Sequence, residues 1–282
     1  MYQQILFCTD GSPAADVAGE YAIWFARKLS AQLRALYVTD IRLLEGPWMA
    51  DLSGTLGAQP YAALLPQLQQ IQREKAATIL AAVEKRCRDA TVACETAHET
   101  GMLVKAMLDH EDRADMVVLG QRGEHAAWSV DILGSSVERM VRASVKPCLV
   151  TPEKFRQIRR MLIAYDGSDE SSKALRAGLA LAPVLGVAVT ITTVAALGGE
   201  DAASEILHKA KQQAHEAGVE AQLELLHGDP EMEILQVRET VGADLIVMGA
   251  YGHTRIRELI LGSTTSHVLR KADVPVLLVR GA

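Results

Sequence analysis

The sequence predicts an α/β protein of two tandem domains, each with a five-stranded parallel sheet covered by helices on both faces. Two observations lead to this prediction. In each half, short apolar runs alternate with longer segments of helical period, which is typical of parallel sheets buried on both sides. The second half also repeats the first at an offset of roughly 130 to 155 residues, too long for a solenoid, which indicates domain duplication.

Length and composition agree with two globular domains. The 282 residues allow each domain its own core, and 49% of them are hydrophobic and 23% charged. The net charge of −6 argues against a nucleic-acid partner, which would select a basic surface. We expect no membrane span and no signal peptide, and therefore a cytoplasmic protein. Reduced thiols are expected at the four cysteines, Cys8, Cys87, Cys94 and Cys148.

The repeat sets the domain boundaries. We predict domains at 1–152 and 160–282, joined by a short charged linker. Three pairs of segments correspond between the halves: Asp10-Gly11-Ser12 and Asp166-Gly167-Ser168, Asp115–Gly120 and Asp244–Gly249, and Val145–Val150 and Val274–Val279.

The elements are read most easily in the second half. Apolar residues at helical spacing predict helices at 171–185, 201–217, 231–241 and 264–271. Gly218 follows the second of these as its expected C-terminal cap. Strands are predicted at 188–194, 221–226, 245–248 and 276–279.

The first half carries extra chain at 41–66, ahead of a charged helix predicted at 68–87. Because Gly54, Gly57 and Pro60 interrupt regular structure, we predict a long surface loop. Three roles stay open for it: a flap on its own domain, a lid over a ligand pocket, or a partner contact.

Each half contains a strand, a glycine loop and the start of a helix. The second half has Gly249-Ala250-Tyr251-Gly252, nine residues, then Gly262-Ser263; the first half has Gly120-Gln121-Arg122-Gly123, ten residues, then Gly134-Ser135. Glycines that adopt positive φ bring backbone amides close to phosphate oxygens, and a helix N-terminus favours an anion. The pattern therefore predicts a phosphate cradle in each half.

The two cradles are not equivalent. The ten-residue spacer of the first half contains Glu124, Trp128 and Asp131, which add bulk and negative charge beside the phosphate position. We therefore predict one competent site in the second half and a degenerate or repurposed site in the first.

Asp10 and Asp166 each end the first strand of their half. Ligands of open α/β sheets bind beyond the carboxyl ends of the strands, so both carboxylates face the predicted crevice. Either carboxylate could accept ribose hydroxyls or help hold Mg²⁺ bound to phosphate. The alternative is a structural turn that opens the following helix.

These motifs resemble the universal stress protein family. The resemblance rests on the repeated Asp-Gly-Ser, the loop of Gly249, Gly252, Gly262 and Ser263, and the closing run Val274–Val279, and it covers nearly the whole chain. It implies two Rossmann-like, adenine nucleotide α-hydrolase-like domains with strand order 3-2-1-4-5. It also implies pairing of the domains through their last strands as an internal pseudo-dimer, with a homodimer possible.

The resemblance further implies that ATP binds, with Mg²⁺ as a possible companion. Asp166 is then the ribose or metal contact and Val194 the adenine contact. The implied nucleotide-binding residues are Asp166, Val194, Met248, Gly249, Gly252, Gly262, Ser263 and Thr264 in the second half, and with weaker support Asp10, Val38, Gly120, Gly123, Gly134 and Ser135 in the first.

The sequence favours an ATP-binding regulatory protein over an enzyme. The glycine loop lacks the lysine of a P-loop, and no general base is paired with a nucleophile. Two alternatives remain open: a slow ATPase or autophosphorylating enzyme with Ser263 or Thr264 as acceptor, and a nucleotide-free scaffold or small-ligand binder.

Overall fold

The computed structural model describes residues 2–41, 58–123, 134–196, 198–250 and 261–280. The first half contains β1 (Gln4–Thr9), α1 (Pro13–Leu29), β2 (Gln32–Asp40), α2 (Ala58–Asp89), β3 (Cys94–Gly101), α3 (Leu103–Glu111), β4 (Met116–Gly120), α4 (Ser135–Ala143) and β5 (Cys148–Thr151). None of the described helices is both long enough and apolar enough to cross a bilayer.

The second half repeats this order of elements. It contains β6 (Arg160–Ala164), α5 (Asp169–Leu185), β7 (Ala188–Ala195), α6 (Glu200–Glu216), β8 (Ala221–His227), α7 (Pro230–Val241), β9 (Leu245–Gly249), α8 (Ser263–Lys271) and β10 (Val276–Val279). The predicted elements of this half are confirmed, and their ends differ by at most two residues. Gly218, at φ +69°, follows α6 as predicted.

The predicted loop at 41–66 is wrong at its C-terminal end, because 58–66 belong to α2. Pro60 is compatible with this helix because it lies in the first turn, where the backbone amides have no partner within the helix. Pro66 lies inside the helix and removes one hydrogen bond there. Residues 42–57 lie outside the described part of the chain, so the role of this segment stays a prediction.

Equivalent turns join the first strand of each half to its first helix. Ser12 caps α1 by accepting from the Ala15 amide at 3.2 Å. Ser168 caps α5 in the same way, through the Ser171 amide at 3.2 Å. The glycine before each serine has a positive φ, +77° at Gly11 and +78° at Gly167. The carboxylate before each glycine is thereby held at the end of its strand.

The ten strands form one sheet in the order β3-β2-β1-β4-β5-β10-β9-β6-β7-β8. Each half therefore has the order 3-2-1-4-5, as the resemblance implied. Within each half all pairs are parallel, whereas β5 and β10 pair antiparallel with Leu149 opposite Leu277. This pairing confirms the internal pseudo-dimer.

The core consists of two layers, one on each face of the sheet. Alternate residues of β1 enter different layers, Ile5 the first and Leu6 the second, because side chains alternate across a strand. The first layer contains both Leu149 and Leu277, and the second contains both Val150 and Leu278. Each layer is therefore continuous across the two halves.

Candidate functional site

A cavity of about 580 Å³ opens at the carboxyl edge of the sheet in the second half. It brings together seven of the predicted residues: Asp166, Val194, Met248, Gly249, Gly262, Ser263 and Thr264. Gly252, the eighth, lies outside the described residues. Residues from opposite ends of the second half therefore meet in one cavity, as the strand order requires.

Asp166 lines this cavity and also closes a turn. Its Oδ1 accepts a hydrogen bond from the Ser168 amide at 3.0 Å, so the structural role that the sequence left open is present. The Asp166 amide in turn donates to Ser171 Oγ at 3.3 Å. Because a carboxylate has two oxygens and about four lone-pair positions, Asp166 can accept several hydrogen bonds in addition to the one that closes the turn.

The N-terminus of α8 forms another part of the cavity wall. Its N-cap is Gly262, which supplies no side-chain cap, whereas Ser168 and Asp229 cap α5 and α7. The N-cap residue therefore gives the first amides of α8 no side-chain acceptor, and the helix dipole adds about half a positive charge there. This end of the cavity is suited to an anion.

Gly249, the first glycine of the predicted cradle, acts through its size and not through a positive φ. Gly262 has φ −57°, and Gly249 is not among the described glycines with positive φ. A Cβ at Gly249 would lie 2.9 Å from the backbone of Glu170 and Ser171. Gly249 therefore allows the first turn of α5 to approach the end of β9, and the predicted reason for this glycine was wrong.

Part of the cavity lining is apolar. Val194 and Met248, both predicted, lie there together with residues that the sequence analysis missed, namely Ala202, Ile206, Pro230 and Ile234. These four lie on α6 and α7 and belong to no chemical motif. The one sequence signal for these four residues is that they are apolar or small and lie near the starts of the helices that follow β7 and β8.

Charged side chains are few around the cavity. Among the lining residues that the structure describes, Asp166 is the one carboxylate, and no lysine or arginine is present. Within the described ranges, no group of three or more histidine, cysteine, aspartate or glutamate residues could hold a metal ion. Among the described lining residues, the groups that could meet a polyanion are backbone amides and hydroxyls.

The first half has the same framework with a different loop. Asp10 Oδ1 accepts from the Ser12 amide at 2.9 Å, which matches the turn at Asp166. A Cβ at Gly123 would lie 2.9 Å from Asp10 Oδ2, so the glycine loop packs against this carboxylate. Arg122 forms an ion pair with Glu153 at 2.8 Å. Gly123, within the described part of this loop, thus lies against the Asp10 carboxylate.

The remaining first-half predictions fall on equivalent positions. Val38 corresponds to Val194, since Phe7 pairs with Ala35 and Ile163 with Ile191. Gly120 lies close to α1, because a Cβ there would be 3.1 Å from the Ala14 carbonyl oxygen. Gly134 precedes α4, which begins at Ser135. The spacer that distinguishes the halves, 124–133, lies outside the described residues, so its effect stays a prediction.

Comparisons with known proteins identify the family. The model of the universal stress protein family matches residues 1–152 and 157–280. Universal stress protein Slr1230 of Synechocystis sp. is 37% identical over 286 residues, covering 99% of this chain and 100% of the relative. Universal stress protein Mb2019 of Mycobacterium bovis is 26% identical over 306 residues, covering 98% and 94%.

A solved structure shares the fold over the same length. The crystal structure of a universal stress protein from Archaeoglobus fulgidus matches with a TM-score of 0.76 at 23% identity, and the match covers 99% of this chain and 96% of that one. With two family matches that together span almost all of its residues, this chain is a tandem member of the universal stress protein family.

Proposed function

We propose that this protein binds ATP in the cavity of the second half and acts as a nucleotide-dependent regulatory protein. The observation that carries the proposal is the uncapped N-terminus of α8 in the same cavity as Asp166 and an apolar wall. An anion site, a carboxylate and an apolar slot match the phosphates, ribose and base of a nucleotide in turn.

In this proposal each part of ATP has a defined environment. The adenine ring packs against Val194 and Met248, and Asp166 accepts a hydrogen bond from the ribose. The phosphates take hydrogen bonds from the first amides of α8 and from the hydroxyls of Ser263 and Thr264. Mg²⁺ usually keeps several waters and takes one or two carboxylates plus phosphate oxygens, so the single carboxylate Asp166 fits a metal that arrives with ATP.

Binding is favoured over rapid turnover by the composition of the cavity. The described lining has no lysine or arginine to stabilise charge on a transferred phosphoryl group, and no histidine to activate water. Micromolar affinity needs only about 8 kcal/mol, which amides, hydroxyls and an apolar slot can provide.

Isothermal titration with MgATP tests the proposal, and the equivalent aspartate of the first half provides a comparison variant. We expect one site per chain. Asp166→Ala should weaken binding by about 10- to 100-fold, because a hydrogen bond to a charged group contributes about 1.5–3 kcal/mol. Asp10→Ala breaks the equivalent turn in the other half, and it should weaken binding less than Asp166→Ala does, because Asp166 lines the cavity itself.

The outcomes separate the alternatives. Absence of ATP binding in the wild type would favour a nucleotide-free scaffold. Equal losses in the two aspartate variants would mean that the turn, and not the carboxylate in the cavity, controls binding. Phosphate release that disappears in Asp166→Ala, or phosphate attached to Ser263 or Thr264, would favour the enzymatic alternative.

A further inference from the structure

The two halves contact each other at the C-terminal ends of α4 and α8, the helices that follow the glycine loops. Gln121 Nε2 of the first half donates to the Leu269 carbonyl in α8. In the opposite direction, the Arg280 guanidinium donates to the carbonyls of Arg142 and Ser144, at and just beyond the end of α4. Each helix is therefore held at its end by a side chain from the other half.

Gln121 belongs to the glycine loop of the first half. Its amide donates to the Thr151 carbonyl at 2.8 Å, and its carbonyl accepts from the Gly134 amide at 3.2 Å. The residue is 9% exposed. The Gln121 backbone is thus hydrogen-bonded to the end of β5 and to the residue before α4, so Gln121 links the described start and end of this loop.

The other partner, α8, connects this contact to the cavity of the second half. The helix has nine residues and is therefore about 13 Å long. Leu269 lies in its last turn and is 1% exposed, whereas Gly262 and Ser263 at its first turn line the cavity. Because a short helix moves as a rigid rod, a restraint on its C-terminal carbonyl also fixes the direction of its N-terminal amides.

The second half has no equivalent of Gln121. Ala250 occupies the matching position, since its amide donates to the Val279 carbonyl at 3.1 Å as the Gln121 amide does to Thr151. A methyl group cannot donate a hydrogen bond, so Ala250 cannot hold the end of α4. The reverse contact comes from Arg280, which follows β10 and lies outside the glycine loop. Of these two matching positions, Gln121 donates a side-chain hydrogen bond to the helix of the other half and Ala250 does not.

We infer that Gln121 is a positioning residue for the nucleotide site of the second half, and that the first-half glycine loop regulates this site through it. The inference rests on the proposed function. A ligand or modification that moves the loop against Asp10 would shift Gln121 and with it the amides of α8. Thermodynamic linkage requires the converse, so ATP bound at α8 changes the loop by the same coupling.

The test compares two glutamine-to-methionine variants of the full chain by titration with MgATP. Gln121→Met keeps the length of the side chain and removes the donor. Gln212→Met is the matched control, because Gln212 donates to Glu216 at 2.9 Å on an exposed face of α6. We expect Gln121→Met to raise the Kd about three- to tenfold, the range of one hydrogen bond, with unchanged stoichiometry. Gln212→Met should keep the wild-type Kd.

A second measurement reports on the glycine loop of the first half. Hydrogen exchange of the Gly134 amide should slow when ATP binds to the wild type, and this response should be lost in Gln121→Met. If Gln121→Met does not fold, Gln121→Asn takes its place. The asparagine side chain keeps the amide group but is one methylene shorter, so its donor no longer reaches the Leu269 carbonyl.

The outcomes are distinct. No ATP binding by the wild type would remove the proposed function. Wild-type binding together with an unchanged Kd and an unchanged Gly134 response in the variant would overturn the inference, even if the melting temperature fell. Such a result would leave Gln121 with a purely structural contact.

Discussion

Asp10 and Asp166 close the same local turn in the two halves. Each accepts an amide hydrogen two residues further along, at 2.9 Å and 3.0 Å. Among the described residues, Asp166 lines the cavity of the second half and Gly123 packs against Asp10 in the first. The turn that holds the carboxylate is therefore shared by both halves.

The four cysteines provide a prediction at the residue scale. A hydrogen bond from the Cys87 side chain lowers the pKa of Cys94, and the same bond together with burial raises the pKa of Cys87. Burial raises the pKa of Cys148 to about 12 and also raises that of Cys8. Since the thiolate is the reactive form, Cys94, which is also half-buried and not fully buried, should react first with a disulfide reagent at neutral pH.

The pH dependence of this reaction has a definite sign. Because the pKa of Cys94 is lowered, its thiolate persists at pH values below the ordinary thiol pKa of about 8.5, and the reaction rate should level off earlier than for a free thiol. Stopped-flow labelling of the native protein would follow one fast thiol. A fast phase that survives in Cys94→Ser would contradict the prediction.

At the scale of elements, periodicity predicted the helices and strands of the second half, but the interpretation of glycine and proline residues failed at two places. Gly54, Gly57 and Pro60 suggested a loop up to residue 66, yet α2 begins at Ala58, because proline is compatible with a first turn. Gly249 lines the candidate cavity, but its φ is not positive as the sequence analysis expected. Its small size serves the approach of α5, a contact between segments far apart in the chain.

Gly249→Ala tests this packing role. A Cβ would lie 2.9 Å from the backbone at Glu170 and Ser171, and backbone of a packed helix has little room to move. We expect a loss of about 1–3 kcal/mol in the free energy of unfolding, the range for overpacked cores, measured by urea denaturation.

Gly101→Ala is the control for this substitution. Nothing lies within 4 Å of a Cβ at Gly101, and its φ is not in the left-handed region. This variant should stay within about 0.5 kcal/mol of the wild type, as is usual for surface changes. Equal losses in both variants would show that replacing glycine as such is costly in this chain and that the approach of α5 is not the cause.

At the scale of the whole molecule, the sequence and its family resemblance led to most of the candidate site. Asp166, Gly262 and Ser263 belong to motifs, and the strand order brings them together. The apolar wall of Ile206 and Ile234 and the bond from Gln121 to α8 were not predictable, because such residues have no distinctive pattern. They follow from how two helices and two halves pack, which a single segment does not encode.

The continuous sheet leads to a final prediction about cooperativity. Leu277 of β10 is fully buried, lies opposite Leu149 of β5 and belongs to the same core layer. Leu277→Ala should lower the free energy of unfolding by about 2–5 kcal/mol. All three tryptophans, Trp24, Trp48 and Trp128, are in the first half, so tryptophan fluorescence reports that half alone.

If the two halves unfold as one unit, this second-half substitution shifts the tryptophan transition as far as the far-ultraviolet circular dichroism transition. Leu207→Ala, the same substitution on α6 at a distance from the β5–β10 pair, should also shift both signals together, because a cooperative unit transmits any loss of stability. A tryptophan midpoint that stays at its wild-type value in Leu277→Ala, while the circular dichroism curve divides into two steps, would instead mean that each half unfolds independently despite the shared sheet.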